Sequence, residues 1–405
     1  MEARDAAGIA MSRQTQSRAS GDQGTDRQRA LHLLRRIERE GAFATLILQD
    51  QSGFVRTLVL GVLRWRSRLD FVISSFASRR TEPELLDVLR LGVFQLLYMN
   101  VAPHAAVGET VELAPPRARG FVNAILRRVS AGNLPEPSDL AVRTGHPEWL
   151  IARWIRAFGS ERAARIAEAN QDLSFPDILT DCPPAGAEPS PFVDGMWRLQ
   201  GSSANLKGLV LDEGSAVVAS IAARTGSDVL DLAAAPGGKS AVMQKLGAHV
   251  ISNDVSLPRM LGLRERSRRL VVSDGRRPPF RRSFETVLLD APCSATGTIR
   301  KNPEIKWRLR EDDLLSFAGL QRELLDAALT LAAKTVVYST CSLEAEENDA
   351  VVETLLASHS EFERVDVSRF SDARLAAWID DGVLRLTPDA GTDGFTAFVL
   401  QRKRR

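Results

Sequence analysis

The chain has 405 residues, 44% hydrophobic and 26% charged, with a net charge of +2. Its length predicts two or three domains, and the near-neutral charge gives no global polycation argument for nucleic acid. Three cysteines without CxxC spacing argue against a disulfide framework or structural zinc site, and fit a reducing cytosol. Residues 1–25 are polar, lack the apolar core of a secretion signal and read as a disordered tail, with Met11 as an alternative start. From 26 to about 129 the pattern is helical. Ala30, Leu33, Leu34 and Ile37 recur at helical spacing. Thr81-Glu82-Pro83-Glu84 reads as a capping box opening a helix over 84–99. That run is too short to span a membrane and carries Asp87 and Arg90, so no membrane partner is expected. Pro103 precedes a helix at 105–113, and Pro115-Pro116 one at about 119–130, which completes an all-helical domain over 26–140. A connecting region over 141–207 holds the end of a linker (131–145), helices at 146–159 and 160–170, and a proline-rich, poorly patterned stretch at 176–191. Over 208–405 short apolar strands alternate with helices, the signature of an α/β doubly wound parallel sheet.

Within that last region, LDLAAAPGGKS at 230–240 runs from a strand through a glycine turn into a helix. Glycines allow a ligand close to the backbone, and the helix start offers free N–H groups. Ala233, Ala234, Ala235, Pro236, Gly237, Gly238 and Lys239 are therefore candidate cofactor contacts. A bare packing turn is one competing reading. A P-loop is another: Gly238, Lys239 and Ser240 fit it, but it demands glycine where Ala233 stands. Three acids at successive strand ends, Asp254, Asp274 and Asp290, favour a ligand with sugar hydroxyls, an exocyclic amine and a cationic centre over a triphosphate. S-adenosylmethionine fits that description.

Two of the three cysteines, Cys293 in DAPCSATG and Cys341 in STCS, follow apolar strand-like runs and so fall on the ligand edge of the sheet. Buried cysteine is often no more than a small hydrophobe, and that reading is kept for Cys182. A pair beside a nucleotide-type pocket points instead to covalent chemistry. A thiolate adding to carbon 6 of cytosine makes carbon 5 able to attack a methyl sulfonium, and Asp290 is placed to stabilise the ring. Arg300, Lys301, Lys306, Trp307 and Arg308 follow the first of these cysteines and are candidate RNA contacts, while the arginine-rich helix at 264–269 reads as a solvated face.

The segments AAAPGGK (233–239), DAPCSATGTIRKNPEIKW (290–307), VVYSTCSLEAEEN (336–348) and DGF (393–395) resemble the bacterial small-subunit ribosomal RNA cytosine-5 methyltransferases of the Sun/RsmB group, relatives of the NOL1/NOP2 proteins. The likeness continues through LVLGVLRW (58–65), LRLGVFQLLYM (89–99), HAAVGETVELA (104–114) and GFVNAILRR (120–128), segments similar to the NusB RNA-binding fold. The resemblance implies a C-terminal Rossmann-like methyltransferase domain using S-adenosylmethionine behind an N-terminal NusB-like domain. It implies a cytoplasmic monomer acting on a cytosine of 16S ribosomal RNA. It makes Cys341 the nucleophile and Cys293 the thiol that helps release product, with 233–239, Asp254, Asp274 and Asp290 touching the cofactor. The chain departs from the group at Ala233, where cysteine is usual, at Leu211, where glutamine is usual, and at 177–182, where DILTDC replaces an Arg-Val-Asn segment. The alternatives are another RNA substrate, such as tRNA, or an RNA-binding assembly factor with a vestigial catalytic half. A P-loop NTPase is the third.

Overall fold

Thr25 opens the first described helix, Asp26–Glu40, by a reciprocal cap: its hydroxyl accepts from the Gln28 amide, and the Gln28 side chain accepts from the Thr25 amide. The computed structural model describes residues 24–77, 80–201, 207–264 and 269–404. The expected tail with its Met11 start, and most of the 264–269 helix, lie outside them. The helices Gly53–Phe76, Pro83–Tyr98, Pro103–Val111 and Arg119–Ser130 follow, and with the first they enclose one core around Leu34, Val59, Leu63, Leu89 and Leu126. The capping box expected at Thr81 is absent. The cap of that helix is Glu82, without a side-chain bond, and Pro83 at the first position supplies the start.

The connecting region holds the helices Glu148–Phe158 and Ser160–Ala169. The poorly patterned stretch at 176–191 holds two strands, β1 (Asp177–Leu179) and β2 (Glu188–Pro189), of a small antiparallel sheet that β3 (Met196–Arg198) and β4 (Leu209–Val210) complete in the order β2-β3-β1-β4. Strands of two or three residues are too short to show a period. Because β4 pairs with β1, this sheet crosses the boundary expected at 207/208.

The large sheet is built from β5 (Asp228–Asp231), β6 (His249–Asp254), β7 (Leu270–Val272), β8 (Phe284–Asp290), β9 (Ala332–Thr340), β10 (Phe362–Val365), β11 (Ile379–Asp380), β12 (Val383–Leu386) and β13 (Phe395–Arg402). The order is β11-β12-β13-β9-β8-β5-β6-β7, with β10 on β13. Strands β9, β8, β5, β6 and β7 are parallel, and β13 returns antiparallel beside β9. Central strands buried on both faces need apolar residues at consecutive positions. In β8, Leu288 faces the layer containing the helix Glu213–Thr225, while Val287 and Leu289 face the layer containing Asp313–Leu331. From β5 the chain builds β6 and β7 on one side, then crosses to β8 on the other. The turns leaving β5 and β8 therefore diverge, which opens a crevice at their carboxyl ends.

Candidate active site

The turn after β5 lines that crevice. Gly237 has φ 96°, a conformation that L side chains rarely adopt, and a Cβ there would collide with Leu263. It delivers the chain into the helix Gly238–Lys245. A cavity of about 230 Å³ is walled by Val210, Leu211, Asp212 and Ser215, by Asp231 and Asp290, and by every residue from Ala233 to Lys239. The two P-loop-like side chains are engaged with the sheet. Lys239 donates to Asp290 at 2.6 Å and to Ser215 at 2.7 Å, and Ser240 donates to Asp231 at 2.6 Å. Burial disfavours the Lys239 ammonium, but Asp290 outweighs it and holds its pKa above the usual value. Burial pushes Asp231 up to about 7, and its Oδ1 has no hydrogen-bond partner among the described residues.

The three acids singled out at strand ends are placed differently. Asp290 lines the cavity and also accepts from Ser339 at 2.9 Å. Asp254 does not line it but shapes it: its carboxylate accepts from the Ala235 amide at 3.0 Å and the Ser256 amide at 2.9 Å. Asp274 is engaged by the Arg276 guanidinium, is about 40% exposed, and is not part of the wall. The acid that the sequence reading passed over is Asp231, the last residue of β5; its place directly before the turn is the signal.

Cys293 leaves the end of β8 and Cys341 the end of β9, and their sulfurs are 3.3 Å apart. The hydrogen bond with Cys341, burial and the nearby charge of Glu347 hold the Cys293 thiol well above its ordinary pKa. Cys293 therefore keeps its proton at neutral pH, within hydrogen-bond distance of the Cys341 sulfur. The two loops are tied together elsewhere: the Gly297 amide donates to the Cys341 carbonyl at 2.9 Å, and the Gly394 amide of the DGF segment donates to the Gly297 carbonyl at 2.8 Å. A Cβ on Gly297 would meet both the Gly394 and Cys341 carbonyls. Cys182 is exposed and far along the chain from both loops, not the buried hydrophobe expected.

The basic segment after Cys293 is a seam between domains. Lys306 is buried and donates to the Arg64 carbonyl at 2.9 Å; Trp307 donates to the Leu63 carbonyl at 2.6 Å; Arg64 donates to the Arg300 carbonyl at 2.7 Å. Glu304 accepts from the Ala44 amide at 3.2 Å. Arg300 is buried on the Gly391 carbonyl, and Lys301 is clamped between Asp212 and Asp393. Burial and the neighbouring Asp212 push Asp393 up to about 7. Of the five expected RNA contacts, only Arg308, stacked 4.2 Å from the exposed Phe43 ring, keeps its charged group off a partner of this kind. The connecting helices complete the support: Trp154 donates to Glu344 at 3.2 Å, and their core takes in Ile299 and Leu343 from the two cysteine loops. A larger cavity, about 620 Å³, lies wholly in the helical domain, where Arg39, Arg66 and Arg90 are matched by Glu38, Asp70 and Asp87. None of its walls belongs to the cysteine loops. Among the described residues no helix is long and apolar enough to cross a membrane, and no cluster of ligating side chains suits a metal ion.

Two family models match the two ends of the chain. The family model for 16S rRNA methyltransferase RsmB/F matches residues 218–401, and that of the NusB family matches 9–131. A probable ribosomal RNA small subunit methyltransferase B from Bacillus subtilis (strain 168) is 30% identical, over 92% of this chain and 98% of its own length. Ribosomal RNA small subunit methyltransferase B from Shigella flexneri is 31% identical over 76% of this chain and 83% of its own. The crystal structure of PH0851 has the same fold, with a TM-score of 0.72 at 24% identity, covering 93% of this chain and 97% of that one. The chain belongs to the RsmB/F family of ribosomal RNA small-subunit methyltransferases, with a NusB-family domain ahead of the methyltransferase domain.

Proposed function

We propose that this chain methylates carbon 5 of a cytosine in 16S ribosomal RNA through a transient covalent bond between Cys341 and carbon 6. The observation that carries the reading is the pair of sulfurs 3.3 Å apart, on adjacent loops at the same sheet edge as the glycine-turn cavity. S-adenosylmethionine is the methyl donor, and the cavity suits it: it offers turn backbone and acids, and its one lysine is already neutralised by Asp290. Asp231, with an unpartnered buried oxygen, and Asp254, which fixes the Ala235 amide, hold the cofactor's end of the site.

At the other end, the chain's own residues handle the ring. The Cys341 sulfur bonds to carbon 6, and the ring electrons move to carbon 5, which becomes the nucleophile. After carbon 5 is methylated its proton passes to water, the sulfur–carbon bond breaks with its electrons returning to sulfur, and the ring double bond returns. Cys293, protonated and pointing at the departing sulfur, donates a hydrogen bond that stabilises the leaving thiolate. Asp290, beside both the cavity and the β9 end, is the acid that faces the ring. The target base must be unstacked for a thiol to reach carbon 6, so an unpaired or weakly paired cytosine is the substrate. The helical domain over 26–140 binds the RNA, and the protein acts as a cytoplasmic monomer.

The test is product mapping. 16S ribosomal RNA from a strain lacking the protein is incubated with enzyme and S-adenosylmethionine, then read by bisulfite sequencing and nucleoside mass spectrometry. The expected product is 5-methylcytidine at one unpaired position. Methylation at another atom, or of tRNA in preference to 16S ribosomal RNA, contradicts the reading.

A further inference from the structure

Glu347 touches no reacting atom in the chemistry above, yet it is fully buried between the two cysteine loops. Its Oε1 accepts from the Ser294 amide at 2.8 Å and from Gln321 Nε2 at 2.9 Å. Its Oε2 accepts from the hydroxyls of Ser294 and Ser342. Ser294 directly follows Cys293, and Ser342 directly follows Cys341. One carboxylate thus has its four acceptor sites filled, three of them by the residues next to the two thiols. Gln321 extends the tie by donating to the Pro292 carbonyl at 2.9 Å, on the other side of Cys293. The Glu347 backbone is itself fixed, since its carbonyl accepts from Tyr338 Oη at 2.5 Å.

We infer that Glu347 is a positioning residue that sets the separation of Cys293 and Cys341 by binding both of their loops through one carboxylate. Burying a carboxylate is costly unless every lone pair is used. Its donors cannot be moved to water without opening the loops, so the four bonds fix one geometry rather than several. As far as it concerns catalysis, the inference rests on the two-thiol reading of function. The contact it describes does not.

The test therefore has one readout that needs no reaction. Full-length wild type, Glu347→Gln and Glu347→Ala are treated with diamide in the absence of RNA. Disulfide formation takes two electrons and two protons from the thiol pair, and these reduce the diamide N=N bond to a hydrazine. The rate of Cys293–Cys341 linkage is followed by peptide mass spectrometry. Glu347→Ala should link at least about tenfold more slowly than wild type, the loss that follows if only one of its four buried hydrogen bonds holds the loops together. Glu347→Gln, which keeps an oxygen for the Ser294 amide, should fall between them. In methylation assays Glu347→Ala should lose on the order of 10²-fold in kcat, as small misplacements of reacting groups do, with the cofactor KM held. Wild-type linkage and wild-type kcat in Glu347→Ala would overturn the inference. If Glu347→Ala does not fold, the Ser294→Ala/Ser342→Ala double variant carries the same expectation, and wild-type rates in it would overturn the inference equally. Slowed linkage in a protein whose wild type transfers no methyl group would leave the positioning role standing and remove the proposed reaction.

Discussion

The turn after β5 and the segment after Cys293 leave the same edge of one sheet, and they are held in opposite ways. The turn at 232–239 is fixed from within its own domain: Asp254 takes the Ala235 amide, and Asp290 takes Lys239. The segment at 299–308 is fixed largely from outside, by the Arg64 and Leu63 carbonyls, the Ala44 amide and the Arg64 guanidinium of the helical domain and by the connecting helices. The difference teaches that the N-terminal domain holds the segment after Cys293 by direct hydrogen bonds, apart from any RNA it binds. A substitution in the seam should act on stability, whereas one in the turn should act on cofactor affinity.

The largest expected effect tests the seam. Trp307→Ala removes an indole packed against the helical core together with its bond to Leu63, and should cost about 2–4 kcal/mol of stability in denaturant unfolding. Unchanged stability with weakened RNA binding would return Trp307 to the RNA surface and erase the contrast. Next comes the turn. Asp254→Ala removes a charged acceptor from the Ala235 and Ser256 amides, and calorimetry should show cofactor affinity falling on the order of 10–100-fold. A smaller effect concerns pH. Asp231 keeps its proton in the folded chain up to about 7, whereas the unfolded side chain releases it near 3.8. Between those values the folded state binds more protons, so stability falls as pH rises through that window, by at most about 1.4 kcal/mol per pH unit. Asp231→Asn should flatten that part of the stability profile; an unchanged slope would show that Asp231 does not titrate there. The smallest effect sharpens the turn itself. Asp274→Ala should leave cofactor affinity within about threefold of wild type, since its carboxylate is engaged by Arg276 outside the cavity wall.

What was legible in the chain follows the same division. The cysteines, the glycine turn and Asp290 are local signals, each a strand running into a loop, and the sheet order brings them to one edge as expected. Asp254 and Asp274 look alike in sequence, both acids at strand ends. Only the neighbouring Arg276 and the short β7 separate their fates. The seam was not legible. A lysine bound for a phosphate and one bound for a carbonyl 242 positions away have the same local pattern, and Lys306 is the second kind. The capping box was misplaced for a related reason: Thr81-Glu82-Pro83-Glu84 has the right letters, but proline at the first helical position left Glu82 as the cap. Thr25 and Gln28, with the same spacing, form the real one.

The central claim is that two thiols divide one covalent reaction, and trapping the RNA adduct tests it most directly. Wild type, Cys293→Ala, Cys341→Ala and the double variant are incubated with 16S ribosomal RNA and S-adenosylmethionine, then separated by denaturing electrophoresis. Cys341→Ala should give neither turnover nor adduct. Cys293→Ala should transfer methyl, release slowly and accumulate a protein–RNA species that disappears in the double variant. An adduct in Cys341→Ala but not in Cys293→Ala would reverse the roles. Wild-type turnover in both single variants would contradict covalent catalysis by either cysteine.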